Sequence, residues 1–504
     1  MNGTHGDGRL VIVSNRLPFV LSKSRTGEWE VKPGSGGLVT ALAPVLRNRG
    51  GTWIGWPGSS GANAQEIREP LEDASARAGY SLQPVMLSEE EFTNYYQGFS
   101  NQIIWPLFHD LQSLCAFRPE FWDAYELVND RFAEAIGSSI GEEEFIWVHD
   151  YHLMSVGKAL RDRNIEAKCG FFLHIPFPSP DLFLRLPWRF EILTALLRYD
   201  QIGFQTMRDL RNFVQCLRKL VDGVQVEGRG AMVQVHTGER TVRVGAFPIS
   251  IDFNEFESLA RSSEVETRVE ELRADEQGRT LILGVDRLDY TKGILQRLDG
   301  FRSALEQFPD LQEKITLFQV VVPSRAKIPR YSDLKTEIER KVGEINGRFT
   351  RSGWVPIHYL YRRMPRPELV AYYRGADVAM LTPLKDGMNL VAKEYCASHP
   401  ENDGALILSE FAGAVSQMQK GAFLVNPHDS EGIGRMIHHC CHLDPNEKRL
   451  RMKRLRRSVQ RRDVYWWVDA FLESAFAKRL EHFPVQEEYL PTHDIRDSVE
   501  ETRS

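Results

Sequence analysis

Residues 283–293 read Leu-Gly-Val-Asp-Arg-Leu-Asp-Tyr-Thr-Lys-Gly, so an apolar run ends in a polar turn that carries Arg287 and Lys292. In an open α/β sheet, ligands gather outside the carboxyl ends of the strands. A guanidinium and an ammonium held there would meet an anion, and a phosphorylated substrate is the natural one. The same two cations could instead pair with Asp286 and Asp289 at the surface, an arrangement worth little energetically.

A second segment, residues 386–394, leads from an apolar run into a helical pattern and reads Asp-Gly-Met-Asn-Leu-Val-Ala-Lys-Glu. The main-chain amides of Met388, Asn389 and Leu390 at that helix start would carry partial positive charge suited to a diphosphate. Asp386 and Glu394 would flank it as hydroxyl acceptors, or serve only as an N-cap and a solvated helix residue. Near the N-terminus, a run ending in Ser14-Asn15-Arg16 is followed by Pro33-Gly34-Ser35-Gly36-Gly37-Leu38. Such glycines let a ligand approach the backbone, or make an ordinary turn. Val39 stands where GxGxxG needs its third glycine, which weakens a nicotinamide-binding reading. His174 ends another apolar run before Pro176 and Pro178, and His149-Asp150-Tyr151-His152 would bring Asp150 to the same rim. His174 reads either as a hydrogen-bonded structural residue or as part of a site. No distant ligand pair accompanies His149, Asp150 and His152. The tract His438-His439-Cys440-Cys441-His442 is too contiguous for one tetrahedral site without severe distortion, so no structural zinc is expected.

Elements must position these groups, and their pattern is that of parallel sheets. Apolar runs at 10–14, 145–149, 170–174, 280–285, 317–322, 378–381, 405–409 and 422–426 alternate with helical stretches. Several are apolar throughout, as strands covered on both faces are. At 504 residues the chain exceeds what one core serves, and two domains of about 200 to 250 residues follow. Pro248 and the charged stretch 252–279 place the hinge near residue 250. The aromatic-rich run 464–476 reads as a buried helix packing between or across the domains, and the polar segment 487–504 as a mobile tail. The basic stretch 448–462 has Leu450, Met452, Leu455 and Val459 near helical spacing; it reads as a nucleic-acid or membrane patch or, as the acidic balance of the whole chain favours, as the solvated face of an amphipathic helix.

Composition is that of an ordinary soluble chain, 42% hydrophobic and 26% charged, and a net charge of −6 argues against nucleic-acid binding. Six scattered cysteines fit reduced thiols in a cytoplasm. No apolar leader and no run of about 18 apolar residues points to secretion or a membrane. Anionic ligands must then be held by local cations.

Ser14-Asn15-Arg16, the glycine loop, Tyr95-Tyr96, Trp105-Pro106, His149 to His152, Phe172-Leu173-His174-Ile175-Pro176, Arg287 to Lys292 and Asp386 to Glu394 occur in register from about residue 9 to 480. Together they closely resemble the trehalose-6-phosphate synthases, retaining enzymes of glycosyltransferase family 20. The resemblance implies an α/β GT-B fold with two Rossmann-like doubly wound domains facing a central cleft. Residues 1–250, completed by a helix at about 464–480, would bind the acceptor, and residues 251–463 the nucleotide sugar. The implied reaction moves glucose from UDP-glucose to glucose 6-phosphate with retention, giving trehalose 6-phosphate and UDP in trehalose biosynthesis and stress protection.

By the same resemblance, Arg287 and Lys292 hold the donor diphosphate beside the segment Met388, Asn389, Leu390, Val391, Ala392, Lys393. Glu394 meets the ribose, Asp386 the glucose hydroxyls, the main chain at Met364 the uracil, and Gly36 and Gly37 lie along the donor. Arg16 and Arg325 bind the acceptor phosphate with Tyr96, Asp150 orients the acceptor sugar, Trp105 shapes anomer choice, and His174 contacts the donor glucose. Asp150, His174, Arg287, Lys292 and Asp386 are thus the catalytic set, with no metal and no cofactor beyond UDP-glucose as co-substrate. Met364 departs from the bulkier residue of some relatives. Dephosphorylation would fall to a separate trehalose-6-phosphate phosphatase, and homo-oligomer formation is left open. The alternatives are a related sugar-phosphate glycosyltransferase with another donor or acceptor, a non-catalytic regulatory homologue, and a nicotinamide oxidoreductase.

Overall fold

A computed structural model describes residues 9–23, 28–34, 37–59, 64–141, 144–325, 328–477 and 486–491. After β1 (Leu10–Arg16) come a hairpin of β2 (Phe19–Lys23) and β3 (Trp29–Pro33), then β4 (Gly51–Trp56), β5 (Ser81–Pro84) and β6 (Phe145–His149). There follow β7 (Cys169–Phe172), β8 (Gln201–Phe204), β9 (Gln225–Glu227), β10 (Met232–His236) and β11 (Thr241–Ala246). Apart from the hairpin these form one sheet, ordered β5-β4-β1-β6-β7-β8-β11-β10-β9. It is parallel except where β10 pairs antiparallel with both its neighbours. A second, wholly parallel sheet holds β12 (Thr280–Arg287), β13 (Ile315–Val322), β14 (Ile357–Tyr361), β15 (Val378–Leu381), β16 (Ala405–Ser409) and β17 (Phe423–Val425). Its order is β14-β13-β12-β15-β16-β17.

Strands such as β6, β7 and β15 are buried along their whole length, which is why their sequences are apolar without alternation. In both sheets the winding reverses beside the first strand, between β1 and β6 and between β12 and β15. Crevices open outside the carboxyl ends at such reversals. There β1 delivers Arg16, β6 runs into Asp150, β12 ends in Arg287, and the loop after β15 carries Asp386.

Helix Val464–Phe476 brings the chain back to the first sheet. Phe471 stacks on Trp147 at 4.4 Å, its carbonyl accepts from Gln201 Nε2 at 2.8 Å, and the Val464 amide donates to Ile251 at 3.0 Å. The basic stretch lies on helix Pro445–Arg461 with Met452, Leu455 and Val459 buried, but Leu450 is 50% exposed and lies off that apolar face. Arg456 on this helix is buried, its guanidinium donating to the carbonyls of Cys396 and Ala397 and so closing the C-terminus of helix Leu390–Ala397. In the segment expected to be a mobile tail, Glu487 pairs with Lys420 at 2.8 Å and Glu488 with Arg211. Residues 492–504 lie outside the described residues. Among the described residues no helix is long and apolar enough to cross a membrane.

Candidate active site

Asp289 builds the turn after β12. Its side chain accepts from the Thr291 amide at 3.0 Å and the Thr291 hydroxyl at 2.9 Å, closing the turn Tyr290–Lys292. Gly293 then takes φ +62°, so close to the Thr382 carbonyl that a Cβ would overlap it. The Leu384 amide bonds the Thr291 carbonyl at 2.8 Å, which lays the loop after β15 against this turn. As a result Lys292 Nζ meets Asp386 Oδ2 at 2.7 Å, and Asn389 Nδ2 reaches the same oxygen at 3.2 Å. Burial pushes the Asp386 carboxyl up, but Lys292 outweighs it and holds the group below the usual carboxylate range. An ammonium has three donors, so one spent on Asp386 leaves two for a ligand. Arg287 is exposed and has no hydrogen bond or ion pair among the described residues. The surface pairing considered for these cations is not made, because Asp286 meets buried Arg297 at 2.6 Å and Asp289 meets Arg325 at 3.1 Å.

Asn389, at φ +84°, caps helix Leu390–Ala397 by accepting from the Ala392 amide at 3.0 Å. Among the described residues no acceptor meets the amides of Met388, Asn389 or Leu390. Gly37 lies against this helix start, where a Cβ on it would stand 2.7 Å from Leu390 Cδ1, while Gly36 lies outside the described residues. Glu394 accepts from the Tyr373 hydroxyl at 2.8 Å, and burial raises its carboxyl. Met364 is half-buried just beyond β14, and Val391 is half-buried beside Leu390. Ala392 is buried. The Lys393 side chain turns away from the cleft and donates to the Ile249 carbonyl and to Gln417 Oε1, both at 2.6 Å.

The opposite wall comes from the first sheet. A π-helical stretch, Phe92–Ile104, carries Tyr96 and leads into Trp105; wound this way, helices recur at functional sites. Tyr96 stacks between Phe92 at 5.0 Å and His152 at 5.6 Å. Arg16 is exposed, its guanidinium 4.9 Å over Trp56 and 5.5 Å from the Tyr96 ring. Arg325 takes φ +48° and lies 4.1 Å over Trp105, donating to Asp289 Oδ2, to the Tyr331 hydroxyl at 2.6 Å and to the Tyr151 hydroxyl at 3.2 Å. Trp105 Nε1 donates to the other oxygen, Asp289 Oδ1, at 3.4 Å. Burial pushes the Tyr96 hydroxyl up, yet Arg325, Arg16 and Arg287 together bring it below its ordinary value. The charges of three guanidiniums, carried by both sheets, thus act on one phenol.

Asp150 holds φ +76°, a conformation that costs a residue with a Cβ about 1–3 kcal/mol and marks functional positions. Its amide donates to the Phe172 carbonyl at 2.8 Å, and its Oδ1 accepts from the His174 amide at 3.2 Å. Burial raises the carboxyl to about 6. His174 is pushed down to about 3 by burial and is neutral near pH 7. Gln205 Oε1 accepts from the Ile249 amide at 2.9 Å, so its Nε2 donates to His174 Nδ1 at 3.4 Å, and His174 Nε2 in turn donates to His149 Nδ1 at 3.1 Å. Both ring nitrogens are thus engaged by protein groups, and the His174 carbonyl abuts the Gly387 backbone.

Arg16, Tyr96, Trp105, Asp150, Arg325, Arg287, Lys292, Asp386 and the start of helix Leu390–Ala397 thus share one cleft. Sequence reading missed Asp289, which looked like a surface partner and is instead 1% exposed between both walls. The Asp-x-Thr capping pattern was its available signal. Tyr331 on Arg325, and His109, which donates to the Trp105 carbonyl at 2.7 Å and is pushed down to about 4 by burial, had none.

Two doubly wound sheets whose reversal points meet at one cation-lined cleft are the architecture of a GT-B glycosyltransferase. Residues 8–477 match the model of glycosyltransferase family 20, and the chain belongs to that family. It is 44% identical over 475 residues to trehalose-6-phosphate synthase of Mycobacterium sp. (strain JLS), covering 93% of this chain and 96% of that one. The Mycolicibacterium smegmatis enzyme of the same name is 43% identical, covering 94% and 93%. Among solved structures, an α,α-trehalose-phosphate synthase (UDP-forming) from Burkholderia xenovorans in complex with glucose-6-phosphate superposes with TM-score 0.84 at 34% identity, covering 93% of this chain and all of that one. The Escherichia coli enzyme bound with UDP-2-fluoro glucose gives 0.82 at 32%, covering 93% and 99%.

Proposed function

We propose that this protein is a UDP-forming α,α-trehalose-phosphate synthase, transferring glucose from UDP-glucose to glucose 6-phosphate with retention of anomeric configuration. The observation that carries the reading is the presence of two cation sets in one cleft, in a chain of this family. Arg287, Lys292 and the amides at Met388 to Leu390, which meet no acceptor among the described residues, form one set and take the donor diphosphate. Arg16 and Arg325, beside Tyr96, form the other and take the acceptor phosphate.

Breaking the glycosidic bond moves negative charge onto the diphosphate. Cations fixed there bind the departing group more tightly than the substrate, which lowers the barrier as well as the KM. Each charge-assisted hydrogen bond supplies about 1.5 to 3 kcal/mol, so an acidic chain can hold two anions with four cations and needs no metal at the reacting centre. Retention fits attack from the face the diphosphate leaves: the acceptor oxygen bonds the anomeric carbon as the phosphate oxygen departs with the bonding pair and takes the acceptor proton. Asp386, held by Lys292 and Asn389, orients the donor sugar hydroxyls, and Asp150 accepts from the acceptor sugar. Glu394 meets the ribose. His174 lines the donor glucose through its ring and main chain. Hydrolysis of the phosphorylated product is left to a separate phosphatase.

The test is UDP release from UDP-glucose by purified protein, with and without glucose 6-phosphate. Release that depends on the acceptor is expected, and acceptor-independent or absent release would overturn the assignment.

A further inference from the structure

Away from the cleft, the second sheet carries a side-chain cluster that the transfer does not use. Helix Ile294–Gln307 runs from the Lys292 turn to the amino-terminal edge of the sheet and passes through the turn Pro309–Leu311 into β13. Helix Ser430–Cys441 lies along it, so close that a Cβ on Gly300 would overlap Ile433. At their shared end His438 and His442, one helical turn apart, face Asp310. Their Nε2 atoms stand 3.5 and 3.6 Å from Asp310 Oδ2, the two rings are 4.3 Å apart, and the three candidate ligand atoms all lie within 4.8 Å of one another.

We propose that Asp310, His438 and His442 form a binding site for zinc or a similar borderline divalent cation, which staples the two helices at the edge of the sheet opposite the cleft. Two imidazoles from one helix face and a carboxylate from another element are a ligand set that such ions take, leaving a fourth position for water. Ligand atoms about 2.1 Å from one tetrahedral ion stand about 3.4 Å apart, so both histidine–aspartate spacings already match. The rings are also oriented. His442 Nδ1 lies 2.9 Å from the His438 carbonyl, which can only accept, so Nδ1 carries a proton and the Nε2 lone pair faces Asp310. The His438 ring lies flat on Phe308 at 4.1 Å, which fixes its plane. The contiguous tract 438–442 could not close a site by itself; the structure adds Asp310 and leaves out His439 and both cysteines.

The plain alternative is a pair of histidine–aspartate contacts that binds only protons. Competition for Zn2+ against a chromophoric chelator, with thermal unfolding in parallel, separates the two on the full-length protein. Wild type and His439→Ala are expected to take up one equivalent of Zn2+ and to unfold at higher temperature with it. The double variant His438→Ala/His442→Ala should lose both responses while UDP release stays at the wild-type rate, and Asp310→Asn should weaken binding if the double variant does not fold. Absence of stoichiometric uptake by wild type, undiminished uptake by the double variant, or unchanged affinity in Asp310→Asn would each overturn the site.

Discussion

Arg16 and Arg325 are proposed to share one phosphate, but the fold engages them differently. Arg16 is exposed and leans on Trp56 and Tyr96 without an ion pair among the described residues. Arg325 is 6% exposed at its side chain and pairs with Asp289, which is nearly inaccessible. Burial pushes the Asp289 carboxyl up, but Arg325, Lys292 and Arg287 outweigh it and keep the group below its ordinary range. Removing Arg325 therefore leaves a buried carboxylate without its main partner, a loss of about 3–5 kcal/mol. Arg16→Ala is expected to raise the KM for glucose 6-phosphate by about 10- to 100-fold, the equivalent of one charge-assisted bond, with Tm unchanged. Arg325→Ala should raise that KM and also lower Tm by several degrees. Steady-state kinetics and thermal unfolding on the two variants check this, and equal Tm values would show that Asp289 does not depend on Arg325.

Helix Leu390–Ala397 does two jobs with opposite faces, its N-terminus toward the cleft and Lys393 toward the hinge. Lys393 is fully buried and is pushed down to about 7, chiefly by burial and then by Arg462. Its folded pKa lies below the ordinary 10.5, so between these values the unfolded chain binds more protons and stability rises with pH. Below pH 7 the charged lysine costs its full amount. Lys393→Met should thus gain stability relative to wild type most below pH 7, with the advantage shrinking as pH climbs toward 10. Chemical denaturation across that range measures it, and a pH-independent difference would refute the shift. The same helix shows what the sequence made legible: strands such as β12 and β15 declare themselves as apolar runs, and a helix start after a glycine can be read directly, although its cap is Asn389 and not the Asp386 weighed for that place. What stayed hidden lacked that signature. The strands β9 to β11 are short or alternate as antiparallel partners do, β4 contains glycines that read as turn, and nothing in residues 92–104 distinguishes a π-helical winding from an ordinary helix. Arg287, Lys292 and Asp386 were visible because they sit where strands end, whereas Asp289 became a hub only once the two walls met.

At the scale of the molecule, the contacts that join the two walls are made largely by the candidate site itself. Trp105 reaches Asp289, Arg325 reaches Tyr151, Lys385 pairs with Asp110 at 2.6 Å, and the Gly387 backbone presses against the His174 carbonyl. Closure and assembly of the cation pocket are then one event, and a defect in closure should appear as a defect in turnover. Gly387 isolates this link. A methyl group there would overlap the His174 carbonyl, which is main chain and cannot swing aside, so the walls must separate. Lys292, Arg287 and the helix start all belong to the second sheet, so affinity for UDP alone should survive. Gly387→Ala is therefore expected to bind UDP within about threefold of wild type, less than 1 kcal/mol, yet to lose most of its kcat. In small-angle scattering with UDP and glucose 6-phosphate present, it should keep a larger radius of gyration than wild type. Wild-type compaction together with wild-type kcat would show that the approach at Gly387 does not gate assembly of the site.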